Sequence, residues 1–308
     1  MHKSYEGIFA ALSTPFIGDR IAPEKFEENI QKYNSFDLAG YVVLGTTGES
    51  VFLSDEESEK LVLAAKEAAS PEKKIIVGTG RESTHATLEF TDRMARLGID
   101  AALVRTPSYY RSRMDDEALK KHYLTIAERS KVPVLLYNIP QLTNITISAK
   151  LIIELSHHSN IKGIKDSSGN LAFLGEVVPH LAPGFSFILG AGSVFLQGLL
   201  MGACGGILRL AVVAPAQCAK LYRLYSEKKF DEAQKLQLDL IPLNKAIIQT
   251  HGIPGLKYAL DLLGYYGGPP RSPLLPLDEK GKKETEAILK NLGLLTTSIP
   301  QEMSDEKK

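Results

Sequence analysis

Eight short apolar runs, each followed by a stretch whose apolar residues recur at helical spacing, succeed one another along the first two-thirds of this chain. The runs are Gly7–Leu12, Gly40–Leu44, Lys74–Val77, Ala101–Val104, Val132–Tyr137, Ile161–Lys165, Phe185–Leu189 and Gly205–Leu208. They repeat at roughly 25–30 residues, enough for one strand, one helix and two loops, and such a rhythm builds a parallel sheet covered by helices. Eight is the number of units at which that sheet closes on itself. The expected fold is α/β, a (β/α)8 TIM barrel. Helix starts are legible between the runs: Ser54-Asp55-Glu56-Glu57 has the form of a capping box, and Ser83 opens another helix.

The rhythm stops near Ser226. Three helical segments are expected beyond it, at about 229–249, 254–263 and 278–293, with the Gly/Pro-rich stretch Gly264–Pro276 between the last two. The chain thus divides into a barrel with the active site over residues 1–227, a C-terminal helical appendage over 228–296 and a frayed polar tail over 297–308.

Charge and cysteine usage remove several function classes. Lys+Arg and Asp+Glu both number 36, so the formal net charge is zero and no long-range field favours nucleic acid or an anionic membrane. No apolar run approaches the roughly 20 residues that span a bilayer, and Met1–Glu6 contains no apolar leader. Two cysteines, Cys204 and Cys218, are too few for a disulfide framework or a cysteine metal cage. A cytoplasmic protein is expected, without metal or cofactor and with neither nucleic acid nor membrane as a partner.

Barrels of this kind do their chemistry at the C-terminal ends of the strands. Those ends carry Ser13/Thr14, Thr46/Thr47, Thr79, Thr106, Tyr137, Lys165/Asp166, Gly190 and Leu208/Arg209. The set is rich in hydroxyls, holds one lysine and lacks the His/Asp/Glu cluster that a divalent metal needs, which disfavours a metal-dependent aldolase. Alternation along a strand puts Ile161, Gly163 and Lys165 on one face. If that face is the barrel interior, Gly163 leaves open space beneath the Lys165 amine, and a partly desolvated amine can attack a carbonyl. A lysine whose tip simply reaches solvent fits the position equally well.

Tyr137 separates these readings. It ends the preceding strand, about 4.8 Å away, and a phenol beside an amine can protonate the departing hydroxyl when an imine forms. A Tyr that caps the core through a hydrogen bond to the main chain is the competing reading. Gly45-Thr46-Thr47-Gly48-Glu49-Ser50 makes a Gly-flanked turn whose N–H groups and hydroxyls suit a carboxylate, and Glu49 is expected to fix that loop rather than act as a base. Gly190-Ala191-Gly192-Ser193 lacks the full dinucleotide fingerprint. His157-His158 are expected to cap helix carbonyls.

Three segments, Gly45-Thr46-Thr47-Gly48-Glu49, Tyr137-Asn138-Ile139-Pro140 and Lys165-Asp166-Ser167-Ser168-Gly169, resemble the signatures of the dihydrodipicolinate synthase/N-acetylneuraminate lyase family, in the same order and over nearly the whole chain. The resemblance implies a pyruvate-type Schiff base on Lys165, with Tyr137 handling protons, Thr46 as a relay hydroxyl and Thr47 binding the pyruvate carboxylate. It implies that Tyr109 reaches into a neighbouring subunit's site, that the Ile207 carbonyl faces substrate, and that the protein is a homotetramer, a dimer of tight dimers. Leu142 stands where the synthases usually carry an arginine for the second substrate's carboxylate, and Asn144 where a glycine is usual.

Tyr109–Met114, Gly252–Lys257 and Gly264–Pro269 look like 4-hydroxy-2-oxoglutarate aldolases, although that subgroup commonly has Ser-Asn where this chain has Thr46-Thr47. The expected reaction is reversible cleavage of 4-hydroxy-2-oxoglutarate to pyruvate and glyoxylate. The alternative is the condensation of pyruvate with aspartate semialdehyde by a 4-hydroxy-tetrahydrodipicolinate synthase, and a second alternative is a barrel that binds a 2-oxo acid without turnover. Arg111, Arg113 and Arg209 are candidates for the missing cation. Retention of Lys165, Tyr137 and Thr46 together favours catalysis, because binding alone needs no nucleophile.

Overall fold

A computed structural model describes residues 5–295. Eight parallel strands close into a barrel in sequence order: β1 (Gly7–Ala11), β2 (Gly40–Val43), β3 (Lys74–Gly78), β4 (Ala101–Arg105), β5 (Val134–Asn138), β6 (Ile161–Asp166), β7 (Ser186–Leu189) and β8 (Gly205–Leu208). Strand β1 pairs with both β2 and β8, so no edge is left open. Each strand begins within two residues of its apolar run. The covering helices are α1 (Pro23–Tyr33), α2 (Asp55–Ala68), α3 (Thr84–Arg96), α4 (Asp116–Arg129), α5 (Ala149–Leu155), α6 (Leu171–Val177), α7 (Phe195–Leu200) and α8 (Pro215–Ser226).

The helix starts follow local chemistry. Ser54 accepts from the Glu57 N–H while the Glu57 carboxylate accepts from the Ser54 N–H, the reciprocal capping box expected before α2. Ser83 accepts from the Ala86 N–H at the start of α3. His157 and His158 follow the end of α5, and their main-chain N–H groups cap the Glu154 and Leu155 carbonyls as expected, while the ring Nδ1 of His158 accepts from the Asn160 N–H.

Alternation along the strands creates two cores. Phe9, Ala11, Val42, Ile76, Leu103, Leu135, Tyr137, Ile188 and Ile207 fill the barrel interior. Ile8, Ala10, Val43, Val77, Val104, Leu136, Ile164 and Phe187 point outward into the larger layer between sheet and helices. Strand β6 breaks the simple period. Val134 pairs with Ile161 but Leu135 pairs with Gly163, so Lys162 is an extra residue and Ile161 joins the outer core, not the face of Lys165. Gly163 is not open space either. A Cβ there would lie 2.5 Å from the Ser186 carbonyl oxygen, so the glycine is what lets β6 lie against β7.

Beyond the barrel come α9 (Phe230–Lys245), α10 (Gly252–Leu262) and α11 (Glu279–Asn291). The first is shorter than expected. Pro242 lies inside α9, and the chain widens into a π turn over Ala246–Thr250. These helices brace the barrel mouth. Gln237 of α9 donates to the Gly192 carbonyl after β7 and accepts from the Leu196 N–H. Lys257 of α10 forms an ion pair with Glu49 after β2 at 2.8 Å. The tail expected over 297–308 and residue 296 lie outside the described residues. Among the described residues no helix is long and apolar enough to cross a membrane.

Candidate active site

Tyr137 and Lys165 are cross-strand partners at the C-terminal ends of β5 and β6. Both are buried, each with 5% of its surface exposed, and Lys165 Nζ lies 4.2 Å from the centre of the Tyr137 ring. The Tyr137 hydroxyl lies 3.2 Å from Thr46 Oγ1. Burial by itself would raise the phenol's pKa, but the positive charge of Lys165 and hydrogen bonds with Thr46, Lys165 and Ser167 outweigh it, and the net shift is downward. A phenol tuned in this direction gives up its proton more readily beside the amine. The interior face and the tyrosine partner expected for Lys165 are therefore both present.

Thr46 and Thr47 sit on a tight turn held from several sides. Its Gly48 and Glu49 N–H groups donate back to the Gly45 and Thr46 carbonyls. Thr14, at the exit of β1, donates its hydroxyl to the Gly48 carbonyl at 2.7 Å. Leu44 and Glu49, which flank the turn, adopt left-handed backbone with φ of 58° and 53°, a conformation that costs a non-glycine residue and has to be over-determined by its surroundings. Glu49 supplies that support: one carboxylate oxygen takes the buried Lys257 Nζ and the other accepts from the Arg271 N–H at 2.8 Å. The expected loop-fixing role of Glu49 matches this geometry.

Lys165, Tyr137, Thr46, Thr47 and Ile207 all line one cavity of about 290 Å³. Gly190–Ser193, Ser167, Ile139, Leu142, Asn244, Gln249 and Arg209 complete its wall. A Cβ at Gly190 would meet Ser167 Oγ at 2.0 Å, so a larger residue there would displace the Ser167 hydroxyl. A second cavity of about 360 Å³ shares Thr46, Tyr137, Ile139 and Leu142 and continues past Glu82, Arg105 and Ser108. Two further strand-end residues are engaged elsewhere. Thr79 accepts a hydrogen bond from Thr91 of α3, and Asp166 is buried against Asn138 and Ser168, each at 2.7 Å. Burial raises the Asp166 pKa, with the two hydrogen bonds opposing it.

Tyr109 does not enter the cavity of its own chain. It is 80% exposed, packs edge-on against Tyr110, and is held by the Glu82 carboxylate through its own N–H and that of Ser108. Leu142 lines both cavities at their mouth and is 61% exposed. The neighbouring Gln141 amide is committed to the Ser167 and Ser168 carbonyls. Asn144 takes φ of 54°, the left-handed conformation that makes glycine usual at that point. Of the three candidate arginines, Arg209 lines the cavity, whereas Arg111 and Arg113 form an exposed turn and line neither cavity. Sequence reasoning named Gly190 among the strand ends but gave the Gly190–Ser193 segment no substrate-facing role, quoted Ser167 only within the Lys165–Gly169 signature, and did not single out Asn244. The glycine pair at the end of β7 was the available signal for the first of these.

The comparisons with known proteins agree with this geometry. Residues 4–292 match the model of the dihydrodipicolinate synthetase family. The 4-hydroxy-tetrahydrodipicolinate synthase of Methanosphaerula palustris is 35% identical over 289 residues, covering 92% of this chain and 97% of that protein. The enzyme of the same name from Methanothrix thermoacetophila is 32% identical over 295 residues, with 95% and 98% covered. Among solved structures, dihydrodipicolinate synthase from Aquifex aeolicus superimposes with a TM-score of 0.89 at 31% identity, covering 95% of this chain and all of that one. The chain accordingly belongs to the dihydrodipicolinate synthetase family, whose members are class I Schiff-base lyases and synthases that act on pyruvate.

Proposed function

We propose that Lys165 forms an imine with pyruvate and that the resulting nucleophile is joined to aspartate semialdehyde, the reaction of a 4-hydroxy-tetrahydrodipicolinate synthase. The observation that carries the covalent step is the buried pairing of Lys165 with Tyr137. Attack of the amine on the ketone gives a carbinolamine, whose hydroxyl leaves as water with a proton from the Tyr137 phenol, and the same phenol takes a proton back as the enamine forms. Thr46, 3.2 Å from that phenol, is the next hydroxyl of the relay. Thr47 and the Ile207 carbonyl meet the bound 2-oxo acid.

The choice of aldehyde rests on the relatives, which carry the synthase name across almost their full lengths. They favour condensation over the 4-hydroxy-2-oxoglutarate cleavage expected from the segments around Tyr109 and Gly264. One observation supports that second reading: Leu142, apolar and at the mouth of the cavity, offers no cation to a carboxylate on the aldehyde. The test is kcat/KM for pyruvate with aspartate semialdehyde against kcat/KM for retro-aldol cleavage of 4-hydroxy-2-oxoglutarate, on one preparation at one pH. The synthase reading expects the first to be larger, and the reverse ranking overturns it.

The exposed Tyr109 belongs to the same proposal. It completes the proton relay of a neighbouring subunit, and the working unit is at least a dimer, assembled further into a tetramer. A tyrosine this exposed, beside an exposed Tyr110, makes a natural contact surface.

A further inference from the structure

Arg209 follows β8 two residues after Ile207, and like Ile207 it lines the Lys165 cavity. Its Nη1 donates to the Ile247 carbonyl at 2.9 Å, in the π turn between α9 and α10. Its Nε donates to Thr47 Oγ1 at 3.4 Å. Among the described residues no carboxylate forms an ion pair with it, and it lines the same cavity as the Tyr137 phenol. A guanidinium keeps its charge under all ordinary conditions, and Arg209, partly buried, carries that charge at the cavity wall. This cavity therefore contains a positive charge that nothing in the described protein neutralises, next to a threonine hydroxyl.

We propose that Arg209 holds the carboxylate of the 2-oxo acid, with Thr47 as a second donor; this rests on the imine reading above. That carboxylate is bonded directly to the carbon which Lys165 attacks, so it has to lie beside Lys165 and not at the cavity mouth. Arg209 meets this requirement. It touches Thr47 on the turn after β2 and lines the same cavity as Tyr137 and Lys165. Nε and Nη1 are engaged by Thr47 and Ile247, which aligns the guanidinium and leaves Nη2 for the anion. The π turn acquires a purpose in this arrangement, since its Ile247 carbonyl is what fixes the arginine. Leu142 follows β5 and also lines the second cavity, which Arg209 does not, so the aldehyde has an approach of its own.

The experiment compares wild type, Arg209→Gln and Arg209→Lys, with circular dichroism to verify folding. Borohydride traps the imine with pyruvate or with its neutral methyl ester, and mass spectrometry reads the half-saturating concentration of each. Loss of a charge-assisted contact predicts a rise of about 10–100-fold for pyruvate in Arg209→Gln and a smaller rise in Arg209→Lys. The methyl ester should change by no more than about twofold, because it presents no charge for the arginine to hold. Equal rises for acid and ester would mean that Arg209 only supports the fold, and the proposal falls. It also falls if pyruvate is unaffected while KM for an anionic aldehyde rises. A companion titration of pyruvate into Lys165→Ala, with and without Arg209→Gln, reads carboxylate binding without the imine. Arginine-dependent binding there, together with no adduct in wild type, would sustain the arginine and discard the imine reading alone.

Discussion

Lys165 Nζ lies 4.2 Å from the centre of the Tyr137 ring, and the two residues face each other across β5 and β6 with their side chains inside the barrel. The strand pairing sets this relationship, because neither residue can move without the ladder. It keeps a proton-transferring phenol beside the amine and brings Thr46, from a third strand end, onto the phenol's oxygen.

Replacing Tyr137 with Phe removes one hydroxyl and leaves the ring stacked under Lys165. The rate of imine formation should fall about 10²–10⁴-fold, the usual cost of losing a general acid–base group. Thermal unfolding checks that the barrel survives. Near-full activity in the folded variant would make Tyr137 a core tyrosine and no more.

Tyr109 predicts shared sites. Neither Tyr109→Phe subunits nor Lys165→Ala subunits should be active alone, but hybrids refolded from a mixture should regain part of the activity, because one site in a mixed dimer keeps both wild-type groups. No recovery, in hybrids proven by native mass spectrometry, would show that each site is self-contained.

Glu49 and Lys257 form an ion pair in which each side chain is only 1% exposed. Burial pushes the lysine pKa down, and Glu49 opposes that by favouring the charged form. Glu49→Gln leaves a buried ammonium without its counter-ion, for which the expected cost is about 3–5 kcal/mol in urea unfolding. The Thr46–Thr47 turn should loosen as well, raising KM for pyruvate. Adding Lys257→Met should recover part of the stability, since the stranded charge is removed. A loss below about 1 kcal/mol in the single variant would argue that water reaches the pair.

His122 sets a pH dependence of stability. Its Nδ1 lies 2.8 Å from Thr84 Oγ1 between α3 and α4, and burial pushes its pKa down to about 4 from an ordinary 6.5. A histidine lowered in the folded state takes up a proton first in the unfolded chain. Its contribution is therefore intact above pH 6.5, declines as the pH falls toward 4, and is fully lost below that, amounting to about 3 kcal/mol. Unfolding free energies measured between pH 7.5 and 4.5 should fall less steeply in His122→Asn than in wild type. Parallel slopes would remove His122 from the account.

The strands and their order were legible in the sequence because each carries its own apolar period, and a closed barrel of eight consecutive βα units needs no long-range choice of partner. The same periodicity brought Tyr137 and Lys165 to adjacent strand ends on the interior face, and the Gly-flanked turn marked Thr46 and Thr47. Tertiary structure decided what alternation cannot encode. An extra residue at Lys162 turned Ile161 outward, and the close approach of Ser186 made Gly163 a packing requirement in place of a gap. Contacts distant in sequence decided the rest: Arg209 meets Thr47 across 162 residues, and Arg271 reaches Glu49 across 222. Such contacts depend on where the C-terminal helices land on the barrel, which local propensity does not specify. The outward Tyr109 marks the last limit, since the surface that covers it belongs to another copy of the chain under the proposal made above. Local chemistry wrote the strands and the reacting pair; the folding of distant segments onto one barrel mouth decided which charges surround them.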